Sequence, residues 1–282
     1  VFGRFIRNFD PVIFPELFRE FKAYLDREKT IERMFAISAL SKEWELVAET
    51  QKTFLPKRMP EIEGVDVASY YRPLVNVSGD YYDVLPIDDK RTLLVLGDVS
   101  GKGLAAALIM GIIVNTIKIS QYKLELDQLM RAIDSAIKGM RFQDKYTVIF
   151  LGLLDTEKQS LKYVNASISE AMIVSQGGAG AYVKELPSNC GLIGILDLPE
   201  IIVDEVSVQQ GDLIFIASDG VTEVTNKEGV QLGDNKLYLS TVKDVSTGSA
   251  QEIVDAISDL VLAYNGDRKL RDDITMLAAK VH

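Results

Sequence analysis

The sequence predicts an α+β fold of antiparallel sheets covered by helices, with a helical extension at the N-terminus. Strand-like runs of Val, Ile, Leu, Phe and Tyr stand on both sides of one helical pair, an order that disfavours an alternating βαβ series. The connections between these runs are of hairpin length, which suits antiparallel neighbours. The chain has 282 residues, 47% of them hydrophobic, enough for one large domain plus an extension or for two small domains.

Residues 1–29 mix aromatic and charged side chains around Pro11 and Pro15 without a clear period, and are read as a leader or the end of an upstream element. From about residue 30 to 55, Ile37, Leu40, Trp44, Val47 and Phe54 recur three and four apart with the polar Gln51 among them, predicting a helix with an a/d seam. Such a seam suits a helix packed on its own domain, or one that dimerises or transmits a signal. Pro56 and Pro60 close it, leaving 1–59 as leader and helical linker or regulatory segment and 60–282 as the globular part. Strands are expected over 65–71, 81–86 and 92–96, and helices over about 103–120 and 126–139. Further strands are expected near 147–154, 161–165, 171–175, 182–185, 201–208 and 212–217. Asp155-Thr156-Glu157-Lys158 reads as a hairpin turn. Ser249 with Glu252 reads as a capping box opening a helix to about Tyr264, and 274–281 as a closing strand.

Charge and composition exclude several functions. A formal net charge of −10 argues against nucleic acid as a partner, because phosphate backbones demand clustered Lys and Arg. The longest apolar stretch, 104–114, is too short to span a bilayer, and no signal peptide is expected. Cys190 is alone, which rules out an internal disulfide and suits a reducing, cytoplasmic setting. The chain begins at Val1, and is expected to be part of something longer, such as the cytoplasmic part of a membrane-tethered sensor. His282 is the one histidine, so Ser-His-Asp and Cys-His nucleophile systems and a typical catalytic zinc site lack their imidazole. Leu196 stands where a cysteine phosphatase would need Arg after Cys190, and no Asp-x-Asp pair supplies an aspartyl nucleophile.

Carboxylates remain. The runs Leu93-Leu94-Val95-Leu96-Gly97-Asp98 and Leu213-Ile214-Phe215-Ile216-Ala217-Ser218-Asp219 each end a buried strand on an acid followed by a tight turn. Gly79-Asp80-Tyr81-Tyr82-Asp83 and Arg271-Asp272-Asp273-Ile274-Thr275 place more acids beside strands, and clustered carboxylates repel unless a cation neutralises them. This pattern points to a hard metal. In Gly97-Asp98-Val99-Ser100-Gly101-Lys102-Gly103 the Lys-Ser/Thr pair and spacing of a phosphate-binding loop are missing; Asp98 can instead bridge two cations while the small residues after it let a backbone carbonyl approach one.

Together these motifs resemble the metal-dependent protein phosphatases of PPM type, in particular their SpoIIE-like bacterial branch. The resemblance rests on Tyr71-Arg72-Pro73, Val77 to Asp83, Gly97 to Gly103, Tyr163-Val164-Asn165-Ala166, Gly191-Leu192-Ile193-Gly194, Ser218 to Glu223 and Asp272 to Thr275, and covers about 60–282. It implies an α-β-β-α sandwich with a two-metal centre at one end, removing phosphate from phosphoserine or phosphothreonine. By the same resemblance, Asp98 is the bridging ligand with the Val99 carbonyl beside it, Asp219 and Asp272 are terminal ligands, and Asp80 contacts the metal or its water shell. Asp83 is a weaker candidate, Asp144 falls where some members place an acid for a labile third metal, and Asp273 neighbours a ligand. Acids outside the motifs, such as Asp88 and Asp134, are read as surface groups. Two departures stand out: Asn165-Ala166-Ser167-Ile168 replaces Asn-Ala-Gly-His, and Ser78 replaces a common Gly.

The mechanism so implied uses two Mg²⁺ or Mn²⁺ ions roughly 3.5–4 Å apart that activate a shared water for in-line attack on phosphorus. Without an internal His, metal-bound water rather than a side chain is expected to supply the leaving-group proton. An inactive binding module of the same fold and a hydrolase of small phosphoesters are the alternatives. The resemblance further implies a phosphorylated STAS-domain antagonist of an anti-sigma factor as substrate and an upstream sensor as partner. The helix over 30–55 is expected to relay the signal, with a homodimer as one route, by moving the segment 101–114.

Overall fold

The computed structural model describes residues 13–142, 144–178 and 180–282. Its contacts divide the chain into two units, one ending at Ala48 and the other running from Glu49 to His282. Helix α1 (Ile13–Lys52) is longer than the sequence period suggested. The part of the expected leader that follows Ile13 is helical, because Phe14, Leu17, Phe21 and Tyr24 also recur three and four apart; residues 1–12 lie outside the described residues. No helix among the described residues is long and apolar enough to cross a membrane.

Two five-stranded antiparallel sheets follow. The first has the order β1 (Val65–Arg72), β10 (Ile274–Val281), β9 (Leu213–Ala217), β6 (Glu170–Gly177), β7 (Gly180–Glu185). The second runs β2 (Tyr81–Pro86), β3 (Arg91–Val99), β4 (Thr147–Asp155), β5 (Ser160–Ala166), β8 (Asp204–Ser207). Helices α2 (Leu104–Ile119) and α3 (Leu126–Gly139) connect β3 to β4. The single turn α4 (Asp219–Thr222), α5 (Lys236–Val245) and α6 (Ala250–Asn265) lie between β9 and β10.

Strand alternation builds the layers. Leu94 and Leu96 of β3 join Ile214 and Ile216 of β9 in one apolar cluster between the sheets. Their neighbours Leu93 and Val95 turn the other way, onto Ile109, Met110 and Ile113 of α2 and Leu129 and Ile133 of α3. Phe215 and Met276 likewise turn outward to Tyr238 and Val242 of α5 and Ile253 and Ile257 of α6. The result is the α-β-β-α sandwich. Each such fully buried side chain contributes about 1.5–3 kcal/mol.

The hairpin turn at Asp155 is present, with Lys158 N–H donating to Asp155 Oδ1 at 2.9 Å. The capping box of Ser249 and Glu252 opens α6. The strand expected over 201–208 is only β8, and helix α5 lay unmarked because its buried face is just Tyr238 and Val242; Asn235, whose side chain caps Leu237 N–H, was the available signal.

Ser167 stands at φ 68°, the left-handed region that suits the glycine of the family pattern. Ser167→Gly should therefore stabilise the protein by about 0.5–1 kcal/mol, read as a rise of about 1–4 °C in melting temperature. A lower melting temperature would show that the serine side chain contributes more than its backbone costs.

Candidate metal centre

The ends of β3 and β9 and the starts of β2 and β10 meet at one edge of the sandwich. Asp98 lies one residue from the end of β3, opposite Val148 of β4. Thr147 Oγ donates to the Asp98 carbonyl at 2.7 Å and lies 2.9 Å from the Tyr81 hydroxyl, so buried groups fix the backbone that carries the acid. The loop before β2 presses onto this strand end, with Val99 N–H donating to Gly79 O at 3.2 Å. A Cβ on Gly79 would stand 2.6 Å from Val99 O and 2.8 Å from Asp98 Oδ1, which is why glycine occupies the position.

On the other sheet, Ser218 links β9 to β10 by donating its N–H to Thr275 O at 2.9 Å and accepting from Thr275 N–H at 3.1 Å on its hydroxyl. Asp219 follows immediately, while Asp272 and Asp273 lead into β10. Thr275 Oγ donates to Asp80 Oδ2 at 2.5 Å, a bond that crosses from one sheet to the other.

Asp98 is the acid that feels each of the other three. Burial pushes the Asp98 carboxyl up, and the charges of Asp80, Asp219 and Asp272 push it further. Asp80 is raised by burial and by Asp273, with the hydrogen bond from Thr275 pulling it back. Asp219 is raised by burial, then by Glu223 and Asp272, with Lys102 opposing. Lys102 Nζ lies 3.0 Å from Asp272 Oδ2 and 2.5 Å from Arg271 O, a counter-charge to which the sequence reading gave no role. Among the described residues no three His, Cys, Asp or Glu side chains are already drawn into a ligating group. The donors nonetheless fit hard divalent ions: they are carboxylate and carbonyl oxygens, and their mutual repulsion is only partly offset by Lys102.

Three weaker candidates fall differently. Asp83 sits within β2 with Lys118 Nζ at 3.3 Å from Oδ2, and no acid of the centre acts on it. Asp144 is exposed at φ 58°. Asp273 is buried and committed to the protein, accepting from Leu74 N–H at 2.6 Å, Ser78 Oγ at 2.7 Å and Gly79 N–H at 3.3 Å. Asp88 pairs with Arg91 on the surface, whereas Asp134 is more enclosed than expected and accepts from Gly194 N–H at 2.8 Å. Sequence reasoning missed the work of Ser78 and Thr275. Both lay inside quoted motifs, and the replacement of Gly by Ser at 78 was the signal.

The paired antiparallel sheets and their covering helices make the PP2C-type fold. The chain belongs to the Stage II sporulation protein E (SpoIIE) family, whose pattern matches residues 88–282. It is 26% identical over 243 residues to Phosphoserine phosphatase RsbU of Bacillus subtilis (strain 168), covering 86% of this chain and 70% of that protein. It is 23% identical over 258 residues to Protein IcfG of Synechocystis sp. (strain ATCC 27184 / PCC 6803 / Kazusa), covering 82% of this chain and 40% of the longer relative. Among solved structures, the SiaA-PP2C domain of Pseudomonas aeruginosa superposes with a TM-score of 0.73 at 18% identity, over 88% of this chain and 98% of that one. The catalytic domain of serine threonine protein phosphatase PstP, in complex with two manganese ions, gives 0.56 at 17% identity, over 77% and 98%.

Proposed function

We propose that this chain is a Mg²⁺- or Mn²⁺-dependent phosphatase that removes phosphate from a phosphorylated regulatory protein, a STAS-domain protein being the substrate class. The observation that supports this reading is that Asp98 is pushed up by Asp80, Asp219 and Asp272, acids carried by both sheets, with Asp80 tied to the far sheet through Thr275. Asp98 with the Val99 carbonyl, Asp80, Asp219 and Asp272 would hold two ions, with Asp144 as an acid for a labile third. Bound divalent ions would supply Lewis acidity and an activated water. The chain's own part is positional: Thr275, itself held by Ser218, orients Asp80, Thr147 fixes the Asp98 backbone, and Lys102 tempers the charge at Asp272.

The relay reading of the N-terminal helix, with homodimerisation as one route and an upstream sensor as its source, also belongs to this proposal. It is supported just beyond α1, where the Phe54 carbonyl accepts from Lys118 Nζ at 2.6 Å and the Phe54 ring lies against Gly111 of α2. A cytoplasmic setting goes with such a substrate.

Phosphate release should be followed from a phosphoserine STAS-domain protein and from a small aryl phosphate, each with and without Mn²⁺, beside calorimetric Mn²⁺ binding. The expected result is Mn²⁺-dependent turnover that strongly favours the protein. Equal preference would indicate a small-phosphoester hydrolase, and absence of Mn²⁺ binding would indicate an inactive module.

A further inference from the structure

Gln51 is the one buried residue of the 40-residue helix α1, 4% exposed. A buried primary amide must satisfy both its donor and its acceptor, and here one backbone residue does both. Gln51 Nε2 donates to Ser78 O at 2.7 Å, and Ser78 N–H donates to Gln51 Oε1 at 3.0 Å. The clamp holds Ser78 much as a paired strand would.

Ser78 then spreads that constraint into the acidic centre. Its hydroxyl donates to Asp273 Oδ2 at 2.7 Å and accepts from Asp80 N–H at 2.9 Å. Asp273 Oδ1 ties down Leu74 N–H at 2.6 Å, so the whole turn from Leu74 to Asp80 hangs on the same few bonds. Gly79 within that turn accepts from Val99 N–H at 3.2 Å, in a place where a side chain would meet Val99 O and Asp98 Oδ1, and Asp80 itself is gripped from the far sheet by Thr275.

We infer that Gln51 is a positioning residue for the metal centre: through Ser78 it sets the placement of Asp80 and of the Asp98–Val99 strand end, and so sets metal affinity. The path enters the centre through the loop before β2, a route separate from the contact of Phe54 with α2. This rests on the phosphatase reading for its metal arm but not for its metal-free arm. Groups outside a ligand set that orient the ligands commonly change metal affinity tenfold to a hundredfold.

The test uses the full chain with Gln51→Met, which keeps length and packing but removes both bonds, alongside Ser78→Ala, which keeps the backbone clamp but removes the hydroxyl, and Ser78→Thr, which restores it. In metal-free protein, Gln51→Met should speed amide hydrogen exchange at Ser78 and Asp80. By calorimetry, Gln51→Met and Ser78→Ala should each weaken Mn²⁺ binding about tenfold or more. The double variant should be little worse than either single one, because both act on one path. Ser78→Thr should recover affinity. A lower melting temperature with Mn²⁺ affinity within twofold of the parent would make the clamp merely structural and overturn the inference. If Gln51→Met does not fold, unchanged affinity in Ser78→Ala overturns it alone. A parent that binds no Mn²⁺ sinks the phosphatase reading as well, whereas unchanged exchange at Ser78 and Asp80 sinks only this one.

Discussion

Replacing Asp98 by Asn is expected to lower Mn²⁺-dependent turnover of a phosphoprotein by about 10²–10³ while raising the melting temperature of the metal-free protein. The loss follows from the several kcal/mol that metal ions contribute to charge stabilisation in such reactions, at about 1.4 kcal/mol per tenfold in rate. Asp98 is the acid on which Asp80, Asp219 and Asp272 all act, so it is the group whose removal most disturbs the shared site. The gain in stability has the same origin. Asn keeps the shape of the side chain and needs neither a buried charge nor the proton uptake that avoids one, so the metal-free variant should be more stable by on the order of 2 kcal/mol near neutral pH. A metal ligand gives opposite signs in the two assays. A structural acid would lose both activity and stability, and retention of near wild-type Mn²⁺-dependent rates would refute the assignment.

Asp98 and Asp219 stood out because each follows the end of an apolar run, and Asp80 and Asp272 because each stands just ahead of a strand. The layers were legible for a related reason, since Leu93 to Leu96 is apolar at every position and so had to be covered on both faces. Asp83 shows where sequence proximity misleads. It is three residues from Asp80, but a strand advances about 3.3 Å per residue, so it stands about 10 Å along β2, under Lys118 rather than at the mouth of the sheets. The bonds that orient the centre were beyond reach for a different reason. Thr275 and Asp80 are 195 positions apart, and Gln51 and Ser78 are 27 apart in different elements, so only the closed sandwich juxtaposes them. Gln51 was visible as the one polar residue in an apolar seam, yet the seam alone could not say that its partner is the backbone of the turn before Asp80.

The metal-free protein should lose stability as pH rises from about 5 to 9, and saturating Mn²⁺ should reverse the trend. Asp80, Asp98 and Asp219 are all raised by burial and by one another or by neighbouring acids. An acid raised in the folded state holds its proton more tightly there than in the unfolded chain. Its contribution is therefore complete below the ordinary carboxylate value near 4 and is lost as pH climbs through the raised folded values. One extra proton bound by the folded state costs up to about 1.4 kcal/mol per pH unit. Across the two units from pH 6 to 8 that is up to about 3 kcal/mol, or a fall of about 6–12 °C in melting temperature. Exposed Asp88 is lowered by Arg91 and acts in the opposite sense, but only below the ordinary carboxylate range, outside this window. Metal ions require the ionised carboxylates, so Mn²⁺ binding tightens as the protons leave, and the gain from binding should grow over the same interval in which the metal-free protein weakens. Differential scanning calorimetry in chelator and in Mn²⁺, on the parent and on Asp98→Asn, separates the contributions. The variant in chelator should show a visibly flatter profile. A parent profile already flat in chelator would mean that Lys102 or another internal cation neutralises the cluster, and the centre would then have no need of a metal.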